Sequence, residues 1–180
     1  MPKPFPDLTL VLGGARSGKS LWAETLVQAA ARPKVYIATA QAFDDEMTAR
    51  IAQHKQQRGE GWVTIEAPSD IAGALDGVAA GSVVLIDCLT LWLGNRMLAE
   101  ADIAVEVAEL LDVLTAAPVP VVCVSNEVGM GLVPDNALGR KFRDAQGALN
   151  RDLAARADLA VFVAAGLPLV LKGRLPEGMA

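Results

Sequence analysis

The chain has 180 residues, of which 52% are hydrophobic and 21% are charged, and its formal net charge is −5. This composition excludes a disordered chain, which needs low hydrophobicity and high charge, and it argues against nucleic-acid binding, which usually shows a basic patch. The first residues carry no secretory signal pattern, and the apolar runs fall short of the roughly 20 residues of a membrane span. We therefore expect a cytoplasmic protein with no membrane span and no nucleic-acid partner, whose cysteines, Cys88 and Cys123, are buried thiols rather than a disulfide.

Strand-like apolar runs alternate with helical stretches in chain order. The predicted strands cover residues 8–12, 34–39, 62–67, 82–87 and 119–126, followed by a closing hairpin around Gly166. The predicted helices run from a glycine-rich turn to about residue 31, over 44–58, from Ser69 as N-cap to about Ala79, over 101–116 and over 136–157. This alternation predicts one α/β domain over residues 1–180, with a mostly parallel sheet covered by helices on both faces. Residues 1–7 and 174–180 are expected to be frayed tails.

A glycine-rich stretch after the first strand, "GGARSGKS", fits the phosphate-loop pattern G-x-x-x-x-G-K-[ST]. Glycines let the backbone wrap so that successive N–H groups point at phosphate oxygens, and the next helix adds the positive end of its dipole. Lys19 is expected to reach the β- and γ-phosphates, and Ser20 to ligate Mg²⁺. A chance glycine-rich turn is the alternative, but the strand before it and the helix after it favour a nucleotide site. The residues of this site are Gly13, Gly14, Ala15, Arg16, Ser17, Gly18, Lys19 and Ser20.

Two other strand ends carry residues that suit such a site. Asp87 closes the apolar run "VVLID", where an acid holds the metal directly or through water, although a loop acid that merely ends a strand is the alternative. The segment "SNEVGMGLVPDN" (125–136) follows another buried strand, and such loops line the ligand crevice of an open α/β sheet. A mobile surface loop is also compatible with it. The next helix puts Arg140, Arg143 and Asn150 on one face, either solvated or in contact with a subunit or substrate.

The single histidine of the chain, His54, lies in the polar, helix-like stretch "RIAQHKQQR". Its spacing alone favours an ordinary histidine at a helix surface or at the border of the core, because Met47 and Ile51 share its helical face. An imidazole is also nucleophilic near neutral pH without a strong base. The stretch by itself leaves both interpretations open.

Four stretches together resemble one family. They are "GGARSGKS", "YIATAQAFDDEMTARIAQHKQQR", "LIDCLTLWLGN" and "NEVGMGLVPDNALGRKFRDAQGALNRDLA", and they are similar to the bifunctional adenosylcobinamide kinase / adenosylcobinamide-phosphate guanylyltransferases. The first is generic to P-loop proteins, whereas the second and fourth are specific. The resemblance implies a RecA-like P-loop NTPase domain and a cytoplasmic enzyme of cobalamin biosynthesis. Such an enzyme phosphorylates adenosylcobinamide with ATP or GTP, and then transfers GMP from GTP to give adenosylcobinamide-GDP and pyrophosphate.

The resemblance also implies roles for particular residues. In the family a histidine carries GMP, and its position in the motif corresponds to His54. Lys19 and an Mg²⁺ ion held by Ser20 and Asp87 are suited to the charge of the leaving pyrophosphate. Lys55 and Arg58 are expected to contact nucleotide phosphates, although either is compatible with a solvated charge. By motif position, the nucleotide contacts outside the phosphate loop are Ala38, Thr39, Ala40, Lys55, Gln56, Gln57, Arg58, Glu66 and Asp87.

Two other functions stay open at this point. A P-loop small-molecule kinase without the guanylyl step predicts full activity in His54→Ala, and a nucleotide-gated regulatory module predicts no turnover of any corrinoid. The resemblance further implies a homo-oligomer, with a trimer as the expected state. The apolar stretch "LTLWLGNRML" (89–98) is a candidate subunit interface.

Overall fold

The computed structural model describes residues 5–41, 56 and 58–179. The strands are β1 (Leu8–Gly13), β2 (Lys34–Ala38), β3 (Trp62–Glu66), β4 (Val83–Asp87), β5 (Val121–Asn126), β6 (Leu159–Ala164) and β7 (Leu167–Lys172). The helices are α1 (Lys19–Ala29), α2 (Ile71–Asp76), α3 (Leu89–Leu98), α4 (Ile103–Ala116) and α5 (Ala137–Arg156). The predicted helix over 44–58 lies outside the described residues except for positions 56 and 58. The rest of the predicted α/β alternation is confirmed, including the closing hairpin of β6 and β7.

The described strands form one seven-stranded sheet in the order β3-β2-β4-β5-β1-β6-β7. Neighbours from β3 to β6 run parallel, whereas β7 is antiparallel to β6. The register pairs Gly13 with Asn126 at the ends of β1 and β5, and Ala38 with Asp87 at the ends of β2 and β4. The carboxyl ends of these four strands therefore meet at one edge, where open α/β sheets bind ligands.

Apolar side chains alternate between the two faces of the sheet and build a core on each. Along β1, Leu8, Leu10 and Leu12 belong to one cluster and Val11 to the other, as the two-residue period of a strand requires. The first cluster is covered by α2, α3, α4 and α5, and the second by α1. Because both faces are covered, the central strands are apolar throughout.

Helix α3 is the main departure from the predicted elements. The apolar run at residues 89–98 was not expected to form a helix, and it was a candidate subunit interface. Its Leu89, Trp92 and Leu93 are at most 2% exposed and pack into the core of the same chain. Most of this apolar face is therefore used within the domain, although Leu98 remains 73% exposed.

Helix α2 begins and ends differently from its prediction. Asp70, rather than Ser69, is the N-cap, because its carboxylate accepts a hydrogen bond from the Gly73 N–H at 2.8 Å. The helix ends at Asp76, before the predicted end near Ala79, with Gly77 as its C-cap. Its apolar residues still join the core as the pattern requires.

The described ends of the chain pack more closely than the frayed tails that we expected. Phe5 is 7% exposed within the cluster under α1, and Leu175 and Met179 pack against the same cluster. These apolar side chains hold the ends because they remove part of the cluster from water.

The cysteines agree with the expectation from composition. Cys88 and Cys123 are buried free thiols. In the part of the chain that the structure describes, no helix has the length and apolar character to cross a membrane.

Candidate nucleotide-binding site

The loop between β1 and α1 closes tightly on its own backbone. The Ser17 N–H donates to the Gly14 carbonyl at 3.2 Å, and Gly18 takes a left-handed φ of 91° before α1 begins at Lys19. A side chain at Gly13 would meet the Val163 carbonyl oxygen at 2.6 Å, so this position accepts glycine alone. The strand–loop–helix context predicted for residues 13–20 is confirmed, and it provides the backbone cradle and helix N-terminus that suit a phosphate.

The turn between β6 and β7 lies against this loop, a contact that the sequence did not indicate. The Gly166 N–H donates to the Ser17 carbonyl at 2.8 Å. A Cβ atom on Gly18 would come within 3.1 Å of the Gly166 Cα, so the loop and the turn both use glycine where they touch. The closing hairpin therefore supports the phosphate loop from the side of β6.

Lys19 folds back over the loop. It is 9% exposed, and its Nζ donates to the Gly14 carbonyl at 3.2 Å. Ala15 and Arg16 are exposed at the tip of the loop, whereas Ser20 is half-buried in the first turn of α1. A cation held over a glycine-rich loop at a helix N-terminus is an arrangement suited to a polyphosphate.

Asp87 ends β4 and is separated from the phosphate loop by β5 alone. At about 4.8 Å per strand, the axes of β4 and β1 lie about 10 Å apart. Glu24 lies in α1, where burial raises its pKa to about 7, an effect that Arg58 opposes and Asp87 reinforces. Burial and then Asp87 also raise the pKa of Cys88 to about 11, and that of Tyr36 far above its ordinary value. The negative charge of Asp87 thus helps to raise the pKa of three buried groups at this edge of the sheet.

Arg58 is a buried cation rather than a solvated charge. It is 6% exposed, and its guanidinium carbon lies 3.3 Å from the centroid of the Tyr36 ring, in a cation–π contact. Its Nε and Nη1 are enclosed and find no hydrogen-bond partner among the described residues. Enclosed N–H groups without partners cost stability, so this side chain is a strong candidate for completion by a ligand.

The Thr39 hydroxyl is used within the protein and is not available to a ligand. Thr39 is 0% exposed, and its Oγ1 donates to the Cys88 carbonyl at 2.7 Å and accepts from the Cys88 N–H at 2.8 Å. The backbone N–H of Thr39 is used as well, because it donates to the Asp87 carbonyl at 3.3 Å, so the nucleotide contact expected at Thr39 stays a prediction. Asn95 on α3 donates to the carbonyls of Thr39 at 3.0 Å and Pro68 at 2.8 Å. Asn95 ends the stretch "LIDCLTLWLGN" that carries part of the family resemblance, but it was not among the expected contacts, because α3 itself was not predicted.

The other expected contacts lie apart from the phosphate loop or outside the described residues. Ala38 and Ala40 are half-buried at the end of β2. Glu66 is exposed at the end of the edge strand β3, four strands and about 19 Å from β1 in the plane of the sheet. It is not brought to the phosphate loop. Gln56 is exposed, and the residues outside the described ranges are His54, Lys55 and Gln57.

A buried polar network lies behind the end of β5. Ser125, Gln146 and Asn150 are at most 5% exposed. The Ser125 hydroxyl donates to Asn150 Oδ1 at 2.6 Å, and Gln146 Nε2 donates to both Ser125 Oγ at 2.9 Å and Asn150 Oδ1 at 3.0 Å. Asn150 therefore does not lie on a solvated helix face, because α5 turns it toward β5.

The two arginines predicted to share a face with Asn150 remain at the surface. Arg140 donates to the Pro134 carbonyl at 2.9 Å, and Arg143 forms an ion pair with Asp144 at 3.2 Å. Arg140 thus holds the end of the 125–136 segment to the start of α5.

Ser20 and Asp87 fit a magnesium ion that arrives with a nucleotide. Mg²⁺ prefers hard oxygen donors, and it commonly takes one or two protein ligands together with substrate phosphates. A hydroxyl and a carboxylate are donors of this kind. The described ranges contain no group of three or more His, Cys, Asp or Glu that could hold a metal by itself.

The sheet order and the phosphate loop define the fold of the RecA-like P-loop class. The crystal structure of the RadB recombinase matches 96% of this chain and 84% of its own, with a TM-score of 0.55 and 17% identity. A Pyrococcus horikoshii protein, PH0250, matches 93% of this chain and 86% of its own, with a TM-score of 0.54 and 9% identity. At such identities the likeness shows the fold alone.

Comparison with known sequences identifies one family within this fold class. The family model described as cobinamide kinase / cobinamide phosphate guanyltransferase matches residues 9–171, and the chain belongs to this family. The bifunctional adenosylcobalamin biosynthesis protein CobP of Pseudomonas aeruginosa is 45% identical, with 91% of this chain and 96% of the relative covered. The corresponding protein CobU of Salmonella typhimurium is 40% identical, with 92% and 99% covered. The resemblance carried by the four stretches is therefore confirmed.

Proposed function

We propose that this chain is a bifunctional enzyme of cobalamin biosynthesis. It phosphorylates adenosylcobinamide with ATP or GTP, and it then transfers GMP from GTP to that phosphate. The products are adenosylcobinamide-GDP and pyrophosphate. The observation that carries the proposal is the phosphate loop of residues 13–20 in a chain whose family model spans residues 9–171.

In the kinase step, the acceptor hydroxyl oxygen forms a bond to the γ-phosphorus of the nucleotide. The bond between that phosphorus and the bridging oxygen breaks, the nucleoside diphosphate leaves with the electron pair, and the hydroxyl proton passes to solvent. Backbone N–H groups of residues 13–20 and the Lys19 ammonium hold the phosphates and stabilise the charge of the leaving group. Mg²⁺ held by Ser20 and Asp87 adds positive charge to the phosphates when it is bound.

In the guanylyl step, an imidazole nitrogen of His54 forms a bond to the α-phosphorus of GTP, and pyrophosphate leaves. A phosphate oxygen of adenosylcobinamide phosphate then displaces the imidazole and takes GMP. The single histidine in 180 residues supports this assignment, because the chain offers no other imidazole. Arg58 also supports it, because it is a buried cation four residues after His54 in the sequence.

Incubation with GTP labelled at the α-phosphate, followed by denaturing electrophoresis, tests the proposal. We expect acid-labile label on the wild-type protein with Mg²⁺, and none on His54→Asn. His54→Asn should still phosphorylate adenosylcobinamide, which shows that the variant is folded. An unlabelled wild type that is an active kinase would favour the P-loop kinase without a guanylyl step. An unlabelled wild type that converts no corrinoid would favour the regulatory module.

A homo-oligomer, with a trimer as the expected state, is also part of the proposal. The edge strand β7 supports it, because Leu167, Leu169 and Leu171 are 71%, 60% and 55% exposed, and exposed apolar edges favour association. Sedimentation equilibrium tests the state directly. The single domain over 1–180 and the cytoplasmic location stay predictions.

A further inference from the structure

Tyr36 lies on β2 beside two residues of the candidate nucleotide site, although it was not among the expected contacts. It is the single tyrosine of the chain, and it is 6% exposed. The register of β2 and β4 pairs Tyr36 with Leu85 and Ala38 with Asp87. Side chains two residues apart along a strand share a face of the sheet. Tyr36 and Asp87 therefore lie on the same face, as diagonal neighbours on adjacent strands.

The ring of Tyr36 contacts Arg58 and is itself packed in place. Trp62 meets it edge-on, with ring centroids 6.1 Å apart and an interplanar angle of 84°. The guanidinium carbon of Arg58 lies 3.3 Å from the ring centroid. An aromatic face holds a guanidinium without using its N–H groups, which point outward in the guanidinium plane. Because Arg58 Nε and Nη1 are enclosed without partners among the described residues, this contact leaves them for a ligand.

The hydroxyl of Tyr36 lies within hydrogen-bonding reach of the Asp87 side chain. A carboxylate only accepts hydrogen bonds, so the phenol is the donor of this pair. A carboxylate also has more than one acceptor position, and a hydrogen bond on one of them leaves another for a metal ion. Hydrogen bonds of this kind orient the carboxylates that bind metals. The hydroxyl is therefore placed to orient Asp87 without competing for Mg²⁺.

We propose that Tyr36 is a positioning residue of the nucleotide site, whose hydroxyl orients Asp87 toward Mg²⁺ and whose ring orients Arg58 toward the nucleotide phosphates. It acts through these two side chains rather than by contact with the nucleotide. The two parts of one side chain have separate tasks, so they can be removed separately. The inference rests on the nucleotide site of the proposed function, but not on the corrinoid acceptor.

Calorimetric binding of GTP, with Mg²⁺ and in EDTA, tests the hydroxyl. The quantity of interest is the magnesium ratio, the GTP affinity with Mg²⁺ divided by the GTP affinity in EDTA. Tyr36→Phe keeps the ring, and we expect it to lower the magnesium ratio about tenfold, as the loss of one hydrogen bond to a charged group does, with the affinity in EDTA within about threefold of wild type. Added to Asp87→Ala, Tyr36→Phe should not change the ratio further, because the hydroxyl acts through Asp87.

The same measurement in EDTA tests the ring. Tyr36→Leu removes the surface on which Arg58 rests, and we expect the GTP affinity in EDTA to fall about tenfold, the effect of losing a hydrogen bond to a charged group. Added to Arg58→Gln, it should cause no further fall. Val35→Ala is the matched control, because Val35 is the neighbouring residue of β2, is also 6% exposed and packs into the core on the other face. It should lower stability and change neither quantity.

A wild-type magnesium ratio in Tyr36→Phe would overturn the inference, and so would a wild-type affinity in EDTA for Tyr36→Leu. Equal effects in Val35→Ala, or a further fall in either double variant, would overturn it too and indicate a tyrosine that only supports the fold. The outcome is separable from that of the proposed function. If the wild type binds GTP but converts no corrinoid, the proposed function fails, and the double variants still decide the role of Tyr36. If the wild type binds no GTP, both fail.

Discussion

The Thr39 hydroxyl holds the Cys88 backbone from both sides, since it accepts from the Cys88 N–H at 2.8 Å and donates to the Cys88 carbonyl at 2.7 Å. Thr39 follows β2 and Cys88 follows Asp87, so one side chain joins the ends of two neighbouring strands. All of the partners are buried, and no water competes for these bonds. The direction in which the chain carries Asp87 into the crevice therefore depends on this hydroxyl.

Thr39→Val keeps the shape of the side chain and removes the hydroxyl. It leaves the buried Cys88 N–H unpaired, while the Cys88 carbonyl keeps its hydrogen bond from the Trp92 N–H at 3.3 Å. We expect a loss of about 1–3 kcal/mol in the free energy of unfolding. Thr39→Ser keeps both hydrogen bonds and should lose only about 1 kcal/mol with the methyl group. Urea denaturation of the two variants measures the difference. Equal stability of the valine and serine variants would show that the hydroxyl does not hold this strand end.

Asn95→Asp keeps the size of the side chain but removes both amide hydrogens. The carboxylate would face the carbonyl oxygens of Thr39 and Pro68, so the loops after β2 and β3 should move apart. We expect the affinity for GTP with Mg²⁺ to fall at least about tenfold, the effect of losing one or two hydrogen bonds. Asn136→Asp is the control, because aspartate caps a helix as well as asparagine does. Similar GTP affinities in the two variants would contradict this prediction.

The raised pKa of Glu24 predicts that the stability of the folded protein depends on pH. Its pKa in the folded protein is about 7, raised from 4.5 mainly by burial. An acid with a raised pKa binds its proton more tightly when folded, so stability falls as pH rises from about 4.5 to 7. At pH 8 the loss in the free energy of unfolding reaches about 3 kcal/mol, which is the equivalent of the rise in the Glu24 pKa. Glu24→Gln should therefore be more stable than wild type at pH 8 but not at pH 5, measured by denaturation without nucleotide. A constant difference between the two proteins over this range would rule out the linkage.

Gly13 and Gly14 form a matched pair in the phosphate loop. A Cβ at Gly13 would meet the Val163 carbonyl oxygen at 2.6 Å, whereas one at Gly14 has nothing within 4 Å. Gly13→Ala should therefore disturb the loop and its hairpin support, with a loss of about 1–3 kcal/mol as in overpacked cores. Gly14→Ala should retain nearly full stability. Thermal denaturation compares them, and equal losses would show that the loop adapts at Gly13.

Much of the fold could be predicted from the sequence because the central strands of the sheet are apolar on both faces. The phosphate loop has a local pattern, so residues 13–20 and their strand–helix context were found. Helix α3 was missed because its apolar side chains form a nearly continuous run, which does not distinguish a buried helix from a strand.

The site was predicted less completely, because its contacts join residues that are distant in the chain. The partners Thr39 and Cys88 are 49 residues apart, and Asn126 and Asn150 are 24 apart. Such pairs leave no periodic signal. The contact of Arg58 with Tyr36 also joins residues that are distant in the chain. The sequence did not indicate that Arg58 is buried, because charged residues are usually solvated.

The central claim is that GMP passes through His54 to the corrinoid phosphate, and its most direct test is a chase experiment. Wild-type protein is labelled with α-labelled GTP and Mg²⁺, freed of nucleotide, and mixed with adenosylcobinamide phosphate. We predict that the label leaves the protein and appears in adenosylcobinamide-GDP within one turnover of the enzyme. Label that stays on the protein while unlabelled GTP supports product formation would contradict the account.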